Sequence, residues 1–249
     1  MKKEFFGITK NNESIQKVTH TGGGLIAKFI NWGAVLQDLK FESDSKSLVL
    51  GLEKLEDYIK HSRYFGATAG PYANRIDSGR FRINESEIQL QTNFQKKHHL
   101  HGGTEGIGRR AWNVDEVAKN ALKLSIIHPD GHMGYPGPIQ INATFSLLDS
   151  GILDIVYKAE TEKTTIVNLA HHSYFNLSGE KTILEHELKI NASTFLEVDE
   201  GLIPRGEPQS VEVGGHDFRD FRRIKNESGK ISNLDHNFCL SLNPQEIRP

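Results

Sequence analysis

An all-β chain, folded as a large antiparallel β-sandwich, is predicted by three features of the sequence. β-branched and aromatic residues alternate with polar ones over short segments, turn residues separate those segments at short intervals, and helical periodicity is scarce. Period-two alternation runs through "LIAKFINWGAVLQDLKF" (25–41), "GRFRINESEIQLQ" (79–91), "LKLSIIHP" (122–129), "IQINATFSLLDSGILDIVYKAE" (139–160) and "ELKINASTFLEVD" (187–199). The intervening turns fall at Gly22-Gly23-Gly24, Asp130-Gly131, Pro136-Gly137-Pro138, Asp149-Ser150-Gly151 and Gly214-Gly215. A hairpin is expected where "SLLDSGILDIVYK" reverses direction at Asp149-Ser150-Gly151.

Only "GLEKLEDYIK" (51–60) has helical spacing, with Leu52, Leu55 and Tyr58 on one face for about two turns. A sandwich is favoured over a barrel because long irregular connections, such as residues 91–111, suit loops at a sandwich edge. The sequence shows no fixed-period repeat, low-complexity segment or linker, and 249 residues suit one all-β domain spanning 1–249.

Composition narrows the partners. A net charge of −2 with acids and bases interspersed leaves no basic stripe for nucleic acid and no polybasic patch for a membrane surface. A single cysteine, Cys239, excludes an internal disulfide framework and is expected to be a small buried apolar residue. The N-terminus has no apolar stretch of signal-peptide length, and no segment approaches a transmembrane length. The expectation is a soluble cytoplasmic protein whose partner is a small neutral molecule.

Eight of the twelve histidines fall in "HHLH" (98–101), "HPDGH" (128–132), "HH" (171–172) and "DHNF" (235–238). Such clustering raises the question of a metal. Zinc sites usually take His residues four apart on a helix, or Cys and His pairs at fixed spacing, and neither pattern is present. On strands, His98 and His99 face opposite sides, as do His171 and His172. Proton transfer asks for less, since histidine as a residue type gives or takes a proton near neutral pH, and two in one cleft can divide orienting and acid roles. The glycines of "LHGG" permit close approach of backbone to a ligand. The plainer alternative, that a given histidine only satisfies a buried hydrogen bond, stays open for each.

Six motifs then occur in a recognisable order: "GATAGPYANRI", "LHGG" followed by Trp112, "PDGHMGYPG", "NLAHHSYFNLSG", "VDEGLIPRGE" and "DHNF". In these the chain resembles the aldose 1-epimerases, or galactose mutarotases, from about Gly66 to Phe238. The resemblance implies a single antiparallel β-sandwich that interconverts the α and β anomers of free sugars such as galactose and glucose, without cofactor or metal. By similarity, His172 matches the general acid that protonates the ring oxygen, and His101 a second histidine that binds and orients the sugar. Asn74 and Arg75 match sugar-binding residues, and Asp235 matches the acidic group that hydrogen-bonds sugar hydroxyls.

His171 stands where the family commonly has asparagine, and Pro71 where many relatives carry a basic residue. Tyr174 and Phe175 are open between offering a sugar an apolar face and packing in the core. Relatives continue past "DHNF" with strands that bear the glutamate acting as base, whereas this sequence ends at Pro249 and Glu246 lies in no matching motif. The resemblance therefore predicts a chain without its C-terminal strands and base. A sugar-binding relative without turnover, or an inactive truncation, is the alternative function. A metal-dependent sugar isomerase of another β fold is a weaker third.

Overall fold

The fold is described from a computed structural model over residues 2–117, 121–225, 229 and 234–240. These fall into two compact units, residues 1–179 and 180–249.

The first unit begins with β1 (Lys2–Ile8), β2 (Ser14–Gly22), β3 (Leu25–Ile30) and β4 (Val35–Phe41), an antiparallel sheet in sequential order. A short helix α1 (Leu55–Lys60) follows, burying Leu55 and Tyr58. Short strands come next: β5 (Thr68–Ala69), β6 (Arg75–Ile76), β7 (Arg80–Ile83), β8 (Ser86–Gln89) and β9 (His99–Leu100). A second four-stranded sheet is formed by β10 (Asn113–Val117), β11 (Ala121–His128), β12 (Ile139–Leu148) and β13 (Ile152–Thr161), and β14 (Ala170–His171) pairs with β5. The second unit holds β15 (Glu187–Leu188), β16 (Ala192–Leu196), β17 (Gln209–Ser210), β18 (Arg222–Arg223) and β19 (Asn237–Leu240). There, β16 is the centre of a three-stranded antiparallel sheet between β17 and β19.

Alternation in sequence becomes alternation in burial. Along β12, Ile139, Ile141, Ala143, Phe145 and Leu147 are buried, while the residues between them face outward. They meet Val18, Leu25, Ala27, Phe29, Leu36 and Leu39 of the first sheet in one hydrophobic core. Phe29 and Phe145 join the two sheets, with ring centroids 4.7 Å apart. Buried Asn31 adds a polar tie: its Oδ1 accepts the Gln16 N–H at 2.7 Å and its Nδ2 donates to the Trp112 carbonyl at 2.7 Å.

The predicted hairpin is present, with β12 and β13 in unbroken register from Ile139↔Thr161 to Leu148↔Ile152. Ser150 and Gly151 both take positive φ, at 68° and 75°, in the turn. The predicted strands and helix are present, but β1, β2, β10, β19 and the two-residue strands β5, β6, β9, β14, β17 and β18 lie outside the predicted segments. In β1, "KKEFFGI" breaks its alternation at a register shift between Phe5 and Gly7, so period two is lost where the strand bulges. Cys239 is half-buried in β19, opposite Thr194, rather than buried in a core. No helix among the described residues is long and apolar enough to cross a membrane.

Because Phe145 is fully buried at the junction of the sheets, Phe145→Ala is expected to reduce unfolding free energy by about 3–5 kcal/mol. Urea titration followed by circular dichroism measures this; a loss below about 1 kcal/mol is incompatible with the packing described.

Candidate active site

Backbone pairing of short segments brings four of the five sequence-predicted site residues to one place in the first unit. β6 pairs with β9, Arg75 opposite Leu100 and Ile76 opposite His99. One residue beyond this ladder on either side, the His101 N–H donates to the Asn74 carbonyl at 3.1 Å. In return, the Asn74 N–H donates to Nδ1 of the His101 ring at 3.0 Å. Both residues hold left-handed backbone conformations, with φ of 68° for Asn74 and 52° for His101. Arg75 donates from a guanidinium nitrogen to the Asn74 side-chain oxygen at 3.0 Å, and its guanidinium carbon lies 4.6 Å from the Phe94 ring centroid.

His172 arrives from the other direction. β14 pairs with β5, Ala170 opposite Ala69 and His171 opposite Thr68. The His172 N–H extends this ladder to the Ala67 carbonyl at 2.9 Å, while its own carbonyl accepts the Gly66 N–H at 3.1 Å. Gly66 is required here: at φ 68°, a Cβ would stand 2.1 Å from the Leu36 carbonyl oxygen. Asn168 locks the two motifs together by donating its backbone N–H to Pro71, accepting the N–H of Ala73 and donating Nδ2 to the Ala73 carbonyl.

The rings of His101 and His172 meet edge to face, with centroids 5.1 Å apart and planes at 83°. Tyr64, which the sequence reading did not single out, packs against both, at 4.7 Å from His101 and 5.9 Å from His172. Tyr174 lies 5.2 Å from His172 on another side. Tyr174 and Phe175 are 42% and 47% exposed, which removes them from the core and leaves Tyr174 as an apolar wall beside His172. No sequence signal marks Tyr64, because its role is set by two loops converging on it.

Burial pushes the pKa of His101 down to about 3, helped by the nearby His172 and Arg75. His101 is therefore neutral at pH 7. With Nδ1 accepting from Asn74, its proton sits on Nε2, a tautomer assigned from hydrogen-bond geometry. Such a ring is a fixed hydrogen-bond donor to an oxygen. His171 is also held neutral, its pKa lowered to about 4 by burial and then by His172. Its Nε2 lies 2.7 Å from the Ser173 hydroxyl and its ring 6.3 Å from Phe145, so it braces the strand above the core.

The other clustered histidines have structural partners. His99 is fully buried, with Nδ1 2.6 Å from the Gln91 carbonyl and Nε2 2.7 Å from the Tyr135 hydroxyl. His98 is 1% exposed and accepts the Ser78 N–H at 3.1 Å. In "LHGG", Gly102 serves packing of backbone on backbone: a Cβ there would lie 1.9 Å from the Gly70 oxygen. Among the described residues no three His, Cys, Asp or Glu side chains gather as metal ligands. Asp235 belongs to the second unit, exposed and just before β19, and Glu246 lies outside the described residues.

The antiparallel β architecture and this pair of facing histidines define an all-β protein with a histidine-centred site, and comparison with known proteins assigns its family. The profile of the family described as aldose 1-epimerase matches residues 16–247. A galactose mutarotase from Pongo abelii is 38% identical over 238 residues, covering 88% of this chain and 69% of that protein. An aldose epimerase homologue from C. elegans superposes with a TM-score of 0.85 at 29% identity, covering 92% of this chain and 72% of that one. A galactose 1-epimerase from Lactobacillus acidophilus gives a TM-score of 0.85 at 29% identity, covering 98% and 75%. The chain belongs to the aldose 1-epimerase family.

Histidines held neutral by burial make stability depend on pH. His101, His128 and His171 have folded pKa values of about 3, 4 and 4, below the unfolded value near 6.5. Above 6.5 both states are neutral there; as pH falls, only the unfolded chain takes up these protons, so stability is lost between 6.5 and the folded values. Moving from pH 6.5 to pH 5 is expected to remove on the order of 1–2 kcal/mol per histidine. Urea unfolding at the two pH values checks this, and equal or greater stability at pH 5 contradicts it.

Proposed function

We propose that this chain is an aldose 1-epimerase that interconverts the α and β anomers of free hexoses, galactose and glucose, by acid–base ring opening. The observation that carries the reading is the His101–His172 pair, one ring fixed as a neutral donor and the other set against it at 5.1 Å. The reading treats residues 1–249 as one catalytic domain acting in the cytoplasm, as the single cysteine and interspersed charge suggest.

In the proposed reaction a base removes the proton of the C1 hydroxyl as His172 delivers a proton to the ring oxygen. The bond from C1 to the ring oxygen breaks, its electron pair remaining on that oxygen, while C1 becomes an aldehyde carbon. Rotation about C1–C2 presents the other face, and the reverse proton transfers close the ring. No electron is gained or lost, so the step asks only for groups that move protons.

His101 donates from Nε2 to a sugar oxygen and fixes the ring relative to His172. Arg75 and Asn74, joined through the Asn74 side-chain oxygen, hold hydroxyls in set directions, as a hydroxyl-rich ligand requires. For Asp235, in the second unit, the sugar-binding role rests on the motif resemblance alone. Tyr174 covers an apolar sugar face beside His172. The base is the family's glutamate, for which the described residues contain no assigned counterpart.

Polarimetry of freshly dissolved α-glucose or α-galactose tests the reading. Mutarotation faster than the buffer blank is expected, and His172→Ala should lower the enzymatic rate by about 10²- to 10⁴-fold. A wild-type protein indistinguishable from buffer rejects catalysis by this chain; galactose binding detected by calorimetry in that same sample identifies the sugar-binding alternative.

A further inference from the structure

A second cleft opens in the first unit, lined by neither of the site histidines. It has a volume of about 410 Å³, within the range of roughly 300–1,000 Å³ typical of small-molecule sites. Lys10, Glu13, Trp32, Glu105, Arg109 and Arg110 are among its walls. Lys10 and Glu13 come from the turn between β1 and β2, Trp32 from the turn before β4, and the arginines from the segment leading into β10.

The charges in this cleft are unequally engaged. Glu13 accepts the Thr9 hydroxyl at 2.9 Å, and Glu105 lies 3.8 Å from Nε2 of His132. Arg109 donates to the Ile59 carbonyl at 3.0 Å, and Arg110 to the Ile127 carbonyl at 3.3 Å. Neither arginine forms an ion pair with a carboxylate among the described residues. Arg109 and Arg110 are half-buried, and burial works against the charge of Arg110, with Glu13 and Glu105 opposing that effect from a distance.

Arginine remains charged in proteins and presents several donors in a fixed fork. One carbonyl contact each, with the Tyr64 hydroxyl as a further partner of Arg109, uses only part of that capacity. Desolvated cations without a paired carboxylate constitute an anion site, and the fork geometry suits the oxygens of a phosphate group. Three cations against two carboxylates leave the cleft one positive charge in excess. Trp32 supplies an apolar wall large enough to cover the body of a small molecule carrying that group.

We propose that this cleft is a second ligand site, separate from the histidine pair, that binds phosphate either free or as the phosphomonoester of a small organic molecule. Arg109 also connects it to the first site: its guanidinium carbon lies 6.0 Å from the Tyr64 ring centroid, and Tyr64 packs on His101.

The chain has two tryptophans, and Trp112 is buried at 2% exposure, so Trp32 is the natural reporter. Inorganic phosphate is titrated into the full chain at ionic strength held constant with sodium chloride, and tryptophan emission is followed. A saturable change is expected, absent in Trp32→Phe. Arg110→Gln should weaken the apparent affinity at least tenfold, and Lys10→Gln, at an exposed turn position, severalfold. The phosphorus resonance of phosphate, broadened by wild type and less so by either variant, gives a readout independent of tryptophan. Glucose 6-phosphate separates the sources: tighter binding than phosphate assigns the phosphomonoester, and equal binding the free anion. No saturable response by either method, an unchanged affinity in both charge variants, or displacement of phosphate by free galactose overturns the proposal, the last by placing the anion in the histidine site.

Discussion

The reciprocal hydrogen bonds between Asn74 and His101 are the constraint on which the site depends. One bond, from the His101 N–H to the Asn74 carbonyl, continues the β6–β9 ladder by a residue. The other, from the Asn74 N–H to Nδ1, converts a backbone ladder into a side-chain orientation. A strand pair normally alternates its side chains between faces and says nothing of ring rotation. Here the ring is clamped by a backbone donor, and the same contact selects its tautomer. The left-handed conformations at both positions turn the two chains away from the ladder at that point. Arg75 follows directly, because its guanidinium is tied to the Asn74 side chain. Asn, Arg and His are thus one unit, held by the shortest possible strand pair.

The sheets carry this unit at one remove. Thr68 donates to Gly33, and Leu36 to Gly66, so the segment bearing the site is stitched to the entry of β4. That edge is in turn part of the core joined by Phe29 and Phe145. His171 stands between the two levels, its ring near Phe145 and the next residue in the cleft. Its buried environment explains why the adjacent histidines are chemically unlike, though the sequence presents them as a pair. The same division runs through "HHLH", where His98 and His99 have hydrogen-bond partners inside the fold while His101 enters the site.

Legibility from sequence followed the range of the interactions involved. The strands β3, β4, β7, β8, β11, β12, β13, β15 and β16, the α1 turn and the β12–β13 hairpin depend on local periodicity and turn chemistry, both written in short windows, whereas two-residue pairings such as β5–β14 and β6–β9 leave no such window. β1 escaped because its register shift breaks the alternation that would have revealed it. Motif order singled out His101, His172, Asn74 and Arg75, and the fold gathers these four in one place. Clustering along the sequence raises a metal question that spacing weakens, and most of the clustered histidines have separate structural partners in the fold. Tyr64 was invisible because nothing within its own segment, "HSRYFG", states that two histidines from residues 101 and 172 will pack against it. In "LHGG", Gly102 also admits the close approach of the Gly70 backbone, a contact that the motif itself does not show.

Electrostatics then sets what two histidines so close can do. Two imidazolium charges 5.1 Å apart would repel by about 3 kcal/mol at an effective dielectric constant of 20, enough to make a doubly charged pair rare. Burial breaks the symmetry between them by holding His101 neutral, with its pKa near 3. A neutral His101 keeps the pair from carrying two adjacent charges. The fixed tautomer adds a second asymmetry, since a ring already accepting at Nδ1 has only a donor to offer at Nε2. Under the proposed reaction, orientation would fall to the ring fixed by burial and one backbone hydrogen bond, and proton delivery to the other, before any sugar arrives.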